Sequence, residues 1–224
     1  MIDAHCHLEY MDDSVIDEAK EKGMVALLAS IADISHKENL LERIEKYPSF
    51  VYGCFGFHPE VMVKYTKADI ENYIEVIRQN KDKITAIGEV GLDYNWTTVA
   101  HEQVRSKNIF ADFIDLAKEL DKPIVIHSRN GQNNSEGKNE GISDALEMLA
   151  GMGAKRVMLH CFSGNEANLK FALEHGWFVS YATVICKSFK HQRLAKETPL
   201  NQMFLETDAP WLDPDSRELI NRPW

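Results

Sequence analysis

A chain of 224 residues is within reach of one large domain built on a single core. Its 44% hydrophobic and 27% charged residues, with only 7 prolines, exclude collagen-like, coiled-coil and largely disordered classes. Twenty-five basic against 35 acidic residues leave a net charge of −10, which repels polyanions and excludes a broad basic groove for duplex nucleic acid.

Apolar, β-rich runs alternate with segments at helical spacing along the whole chain. Met1–Leu8 and Met24–Ala32 come first, then a helical stripe Leu40/Leu41/Ile44, then Phe50–Phe57. Ile70/Tyr73/Ile74/Ile77 predicts the next helix, Ile84–Leu92 the next strand, and Phe110/Phe113/Ile114/Ala117/Leu120 another helix. Pro123–His127, the stripe Ile142/Ala145/Leu146/Leu149, Arg156–Phe162, the stripe Leu169/Ala172/Leu173, Trp177–Val184 and Met203–Thr207 complete the series. The early strands are continuous rather than alternating, as in a parallel sheet buried on both faces. No linker or repeat interrupts the order, which predicts a single α/β domain over residues 1–224, a TIM-type (β/α)₈ barrel. That fold usually takes ~250 residues. The sequence stops at Trp224 soon after the eighth strand, so the C-terminal covering helix is expected to be missing.

Asn130–Gly141 is polar and glycine-rich, follows the fifth strand and reads as a mobile loop, with a lid as one use. Its lysine lacks the spacing and the following Ser/Thr of a phosphate-binding loop. No apolar stretch reaches the roughly 20 residues of a membrane span. The N-terminal segment has neither the basic start nor the apolar run of a secretory leader, so a cytoplasmic location is expected. Cys6, Cys54, Cys161 and Cys186 then read as buried free thiols.

His5-Cys6-His7 ends the first strand, and a period of two turns both imidazoles, and Asp3 with them, to one side. His58, His127 and His160 stand near the C-terminal ends of strands 3, 5 and 6, Glu89 near that of strand 4 and Asp208 at that of strand 8. In a β/α barrel these ends converge on one face, so the donors would meet around one centre. Imidazole with carboxylate suits Zn²⁺, Mn²⁺ or Fe²⁺ and is too nitrogen-rich for Ca²⁺. Six donors exceed one tetrahedral shell, and a second cation sharing a carboxylate would suit phosphoester hydrolysis. Asp208 would hold the attacking water and take its proton, and Arg129, facing as His127 does, would grip a phosphate unless it is simply a solvated loop arginine. Asp3 and Glu206 would orient ligands from deeper in the barrel. Tyr94 would either reach substrate or pack, and Trp211 would either stack on a base or be buried. His36, His101, His175 and His191 read as ordinary surface histidines.

The strings IDAHCHL, GFHPE, IGEVGLDY, VIHSR, LHCFSG and LETDAPW, in this order over Ile2 to Leu212, resemble the TatD-type metal-dependent hydrolases, deoxyribonuclease-like members of the amidohydrolase superfamily. The resemblance implies two divalent cations, with Zn, Mn and Mg as candidates. His5, His7, Glu89 and Asp208 would serve one, and Glu89, His127 and His160 the other, Glu89 bridging. It places His58 at the rim, against the leaving group or a phosphate. It further implies a metal-dependent phosphodiesterase acting as a 3′-exonuclease on DNA, with single-stranded ends as the expected partner. An amidohydrolase acting on a small amide, lactone or amine with the same ligands is the alternative, and a metal-binding scaffold without turnover is a third reading.

Overall fold

The computed structural model describes residues 1–132, 140–215 and 220–224. Eight strands, β1 (Ile2–Cys6), β2 (Ala26–Ile31), β3 (Val51–Phe57), β4 (Ile84–Asp93), β5 (Ile124–Arg129), β6 (Val157–Leu159), β7 (Phe178–Tyr181) and β8 (Met203–Leu205), pair in sequence order, each parallel to the next. Between them run α1 (Ser14–Glu21), α2 (Lys37–Lys46), α3 (Lys67–Gln79), α4 (Ala100–Glu119), α5 (Gly141–Gly151), α6 (Glu166–Glu174) and α7 (Phe189–Glu197). The expected barrel is present, nearly closed.

The two faces of the sheet carry separate cores. Inside the barrel the side chains are mostly small: Ala4, Cys54, Ala86, Val125 and Met158, with Leu28 and Phe178 against them. Outside, branched and aromatic residues such as Ile87, Phe110, Phe113, Ile126, Leu146 and Leu149 join the strands to the helices. Helix starts are set locally: Thr66 and Asn165 each form a reciprocal capping box with the residue three places on, fixing the entries of α3 and α6.

Two helices lie outside the stripes read from the sequence. Helix α1 does carry one, Val15/Ile16/Ala19, at the spacing of Leu40/Leu41/Ile44 but over only eight residues, whereas α7 buries only Leu194. Strands β6 to β8 are shorter than their apolar runs, because the flanking residues turn away into the loops that carry the site. Of the loop expected at Asn130–Gly141, residues 133–139 lie outside the described residues, and Gly141 already belongs to α5. The four cysteines are free, but only Cys6 and Cys54 are buried. Cys186 is exposed because it closes a 3-10 turn, Thr183–Cys186, rather than sitting in a strand. No helix follows β8 among the described residues, and Phe204 and Leu205 are about half exposed.

Asp3 corrects the alternation argument. The register of β1 on β2 shifts between Asp3 (opposite Leu27) and Cys6 (opposite Ala29), and the extra residue takes Asp3 off the face of His5 and His7. Its carboxylate instead accepts from the Thr207 amide at 2.9 Å and the Thr207 hydroxyl at 2.6 Å, across the seam between β1 and β8. Beside it the Asp208 amide donates to the His5 carbonyl (3.0 Å) and the His7 amide to the Ala209 carbonyl (2.7 Å). Replacing Asp3 by alanine leaves two part-buried Thr207 donors without their acceptor and is expected to cost about 1–2 kcal/mol. Urea unfolding of Asp3→Ala beside the parent checks it, and an unchanged midpoint would show that the backbone bonds alone hold the seam.

Candidate metal centre

Glu89 sits midway along β4, short of the strand end expected for it, with 2% of its surface exposed and imidazoles on every side. Getting a carboxylate there depends on glycine. A Cβ at Gly56 would lie 2.4 Å from the Glu89 carbonyl, and one at Gly91 would lie 2.0 Å from the His127 carbonyl, so β3, β4 and β5 approach closely only because these positions carry none.

The two oxygens of Glu89 face different partners. Oε2 is 3.2 Å from His5 Nε2 and 3.5 Å from His7 Nε2. Oε1 is 2.8 Å from His127 Nδ1, 3.1 Å from His160 Nε2 and 3.5 Å from His58 Nε2. Asp208 Oδ1 completes the first side, at 3.5 Å from His7 Nε2 and 3.7 Å from His5 Nε2. The rings of His5 and His160 stack with centroids 3.8 Å apart, so the two sides share a wall.

The far nitrogen of each ring shows which atoms are available to a cation. His7 Nδ1 lies 3.2 Å from Glu9 Oε1, His160 Nδ1 3.2 Å from Glu206 Oε1, and His127 Nε2 2.7 Å from Asp93 Oδ2. An acceptor-only carboxylate requires the N–H on that nitrogen, so the nitrogen facing Glu89 is the one free to give up its proton and offer a lone pair to a cation. His5 Nδ1 is likewise 3.3 Å from the Ser30 hydroxyl. His58 is reversed: its Nδ1 accepts from the Glu60 amide at 3.1 Å, so the proton sits on Nε2 and faces inward as a donor. His58 is also buried rather than at the rim, because the 3-10 turn Pro59–Lys64 folds its ring inward under that bond.

Such a cluster is incomplete without a cation. The buried Glu89 Oε2 has no hydrogen-bond partner, and His5 Nε2 and His7 Nε2 face each other at 3.2 Å. In the protein alone, protons do that work. Burial opposes it, yet the carboxylates of Glu9, Glu89, Asp208 and Glu206 hold His7 and His160 well above the ordinary histidine value, and Asp93 and Glu89 raise His127. Burial and neighbouring histidines push His5 down, and take His58 to about 3, a neutral ring. Against its own burial, Glu89 is held well below the usual carboxylate range by the charge of His160 and the hydrogen bond from His127. The six residues expected to bind metal therefore converge: donor atoms of His5/His7/Glu89 and of His5/His160/Asp208 lie close enough to share a cation, and Glu89 and His127 form a third group with His58, whose inward nitrogen is protonated.

The centre opens into a cleft of about 570 Å³ lined by His7, His58, Glu89, His127, His160 and Asp208, with Arg129 above them. The Arg129 guanidinium, 45% exposed, is tied by Nε at 2.8 Å and Nη2 at 2.7 Å to Asp93 Oδ2. Asp93 is the main residue the sequence reading missed. Burial alone would raise it, but His127 and Arg129 bring its carboxyl down to about 2. The signal was present: Glu89, Gly91 and Asp93 alternate along β4, and Asp93 pairs in register with Arg129. Glu9 and Ser30 were missed as well. Glu206 is where expected, against His160. Tyr94 packs, its hydroxyl donating to Asp144 at 2.5 Å. His191, read as a surface residue, lines the cleft from α7, a helix the sequence pattern did not reveal.

The sequence profile of the TatD-related DNases matches residues 2–224. The chain belongs to this family. Among TatD relatives, the human deoxyribonuclease TATDN3 is 32% identical over 237 residues, covering 100% of this chain and 82% of the human protein. An uncharacterized metal-dependent hydrolase of Methanocaldococcus jannaschii is 33% identical, over 95% of this chain and 80% of its own length. In three dimensions the crystal structure of YJJV, a TatD homolog from Escherichia coli K12, matches with a TM-score of 0.83 at 22% identity, covering 100% of this chain and 85% of that one. That likeness bears on the fold: a TatD barrel.

Two outcomes follow from this geometry. Asp93→Ala frees the ring of His127 and is expected to weaken metal binding about 10–100-fold, read by competition with a chromophoric chelator; an unchanged affinity would remove Asp93 from the site. His7 and His160 are raised well above, and His127 above, the ordinary histidine value, so the metal-free protein holds these protons more tightly than free imidazole does and a cation must expel them. Affinity should rise with pH until these raised groups are deprotonated, with proton release seen in calorimetry in two buffers of different ionisation heat. A buffer-independent heat would contradict this.

Proposed function

We propose that the TatD barrel formed by residues 1–224 is a single hydrolase domain that cleaves DNA phosphodiester bonds as a 3′-exonuclease on single-stranded ends. The observation that carries the reading is the division of the Glu89 carboxylate, one oxygen toward His5 and His7 and the other toward His127 and His160. His5, His7, Glu89 and Asp208 would hold one divalent cation, and Glu89, His127 and His160 a second. Paired divalent cations supply Lewis acidity at the phosphoryl group and acidify water.

The chain's own residues do the rest. Asp208 takes the proton of the attacking water. Its carboxyl is held below the usual range by His7, His160 and His5 despite burial, so it is ionised and ready to accept. His58, neutral and with its proton on Nε2, donates a hydrogen bond to a phosphate oxygen or to the departing oxygen. Arg129, its angle fixed by Asp93, brings the positive charge that an anionic substrate needs against a net charge of −10. Zn, Mn and Mg remain the candidate ions, and the imidazole-rich set favours the first two. No helix among the described residues is long and apolar enough to cross a membrane, and four unbridged cysteines fit a reducing, cytoplasmic setting.

The test is hydrolysis of 5′-labelled single-stranded DNA with Mg²⁺, Mn²⁺ or Zn²⁺, with metal content measured on the same protein. A ladder of shortened products is expected. In Asp208→Asn it should fall by about 10²-fold or more, the size of a lost proton acceptor. Metal-loaded protein that leaves DNA intact while opening a small amide or lactone would overturn the reading in favour of an amidohydrolase.

A further inference from the structure

Large apolar rings are mostly buried in this fold; of the exposed ones, Tyr52, Phe189 and Phe204 lie away from the cleft, and Tyr10, Trp96 and Trp211 line it. Trp177 is 1% exposed, with its Nε1 donating to the Ala154 carbonyl at 3.2 Å, and Trp224 packs on the outer core. Trp211, by contrast, is 52% exposed and Tyr10 45%, and both line the cleft. Their ring centroids are 5.7 Å apart at 59°. Tyr10 is also 6.2 Å from the ring of His7 and 5.5 Å from that of His36. Both rings are held by the segments that carry presumed metal donors. Tyr10 ends the 3-10 turn Leu8–Tyr10 that starts directly after His7, and the Trp211 amide donates to the Asp208 carbonyl at 2.9 Å.

We propose that Tyr10 and Trp211 form a stacking platform for one unpaired base of the nucleotide next to the scissile phosphate. Half-exposed aromatic faces at a cleft retain favourable transfer free energy that a planar apolar ligand releases on covering them. A nucleobase is such a ligand, and aromatic side chains hold it with little regard to sequence. The His7 ring, 6.2 Å from Tyr10, puts the platform beside the reacting centre rather than at a remote site. A base lying there has left its pair, so the platform gives a structural cause for preferring single strands. The inference rests on the DNA-hydrolase reading and adds to it the residues that recognise the base.

The test compares first-cleavage rates on two single-stranded oligonucleotides that differ only in whether the last two 3′ positions carry bases or abasic units. The proteins are the parent, Trp211→Ala, Trp211→Phe and Tyr10→Ala, each loaded with Mn²⁺ and checked for metal content. Trp211→Ala and Tyr10→Ala should lose about tenfold or more in kcat/KM on the base-bearing strand, Trp211→Phe should keep most of it, and the parent should lose a similar factor on the abasic end. The alanine variants should match the parent on the abasic strand. Equal losses on both strands would assign these rings to support of the Asp208 turn and overturn the platform, as would no loss on either. The abasic comparison in the parent needs no variant to fold. If the metal-loaded parent cleaves neither strand, the DNA reading itself has failed, and the platform with it.

Discussion

The structure depends on keeping one carboxylate ionised in a dry place. Glu89 is buried at the mouth of the barrel, where an isolated charge would be prohibitively costly, and five imidazoles surround it. The raised histidines among them, His7, His127 and His160, stabilise it in the protein alone, and cations would take over that role on binding. Much of the neighbouring architecture serves this group. Glycines at 56 and 91 let the strands close around it, while Glu9, Asp93 and Glu206 fix the tautomers of the rings that face it. His58 has the opposite tautomer because a backbone amide, rather than a carboxylate, meets its other nitrogen.

Much of this was legible in the sequence because the barrel maps strand ends onto one face. Once the eight apolar runs were placed, the positions of His5, His7, Glu89, His127, His160 and Asp208 followed from topology without any knowledge of distances. What stayed hidden depended on contacts across strands. Asp93 acts on His127 and Arg129 of the next strand, and Glu9 on His7 from within a 3-10 turn. Strict alternation failed at Asp3 because one bulged residue reverses facing, which no hydrophobic pattern reports. His191 was missed for a related reason: α7 buries too little to show as a helix, so its cleft-facing residue could not be placed.

An acidic chain with an anionic substrate looks contradictory only when charge is averaged over the surface. Around the cleft the arrangement is different, since three acidic groups behind its lining are already committed. Asp93 is spent on His127 and Arg129, Glu206 on His160 and the Cys161 amide, and Glu9 on His7 and the Ala32 amide. Metal ions would tip the local sum further toward positive, so attraction for a strand end would be governed by metal loading rather than by protein charge.

The seam has a consequence for the life of the chain. Thr207 bonds to Asp3 across 204 residues of sequence, and the backbone bonds that hold His5 and His7 in place come from Asp208 and Ala209. The donors near the two ends of the chain therefore cannot share a cation until residue 209 has been synthesised and docked. A nascent polypeptide still emerging from the ribosome would carry every early histidine and yet hold an unfinished centre. Hydrolytic competence would arrive in one late step, with closure of the ring.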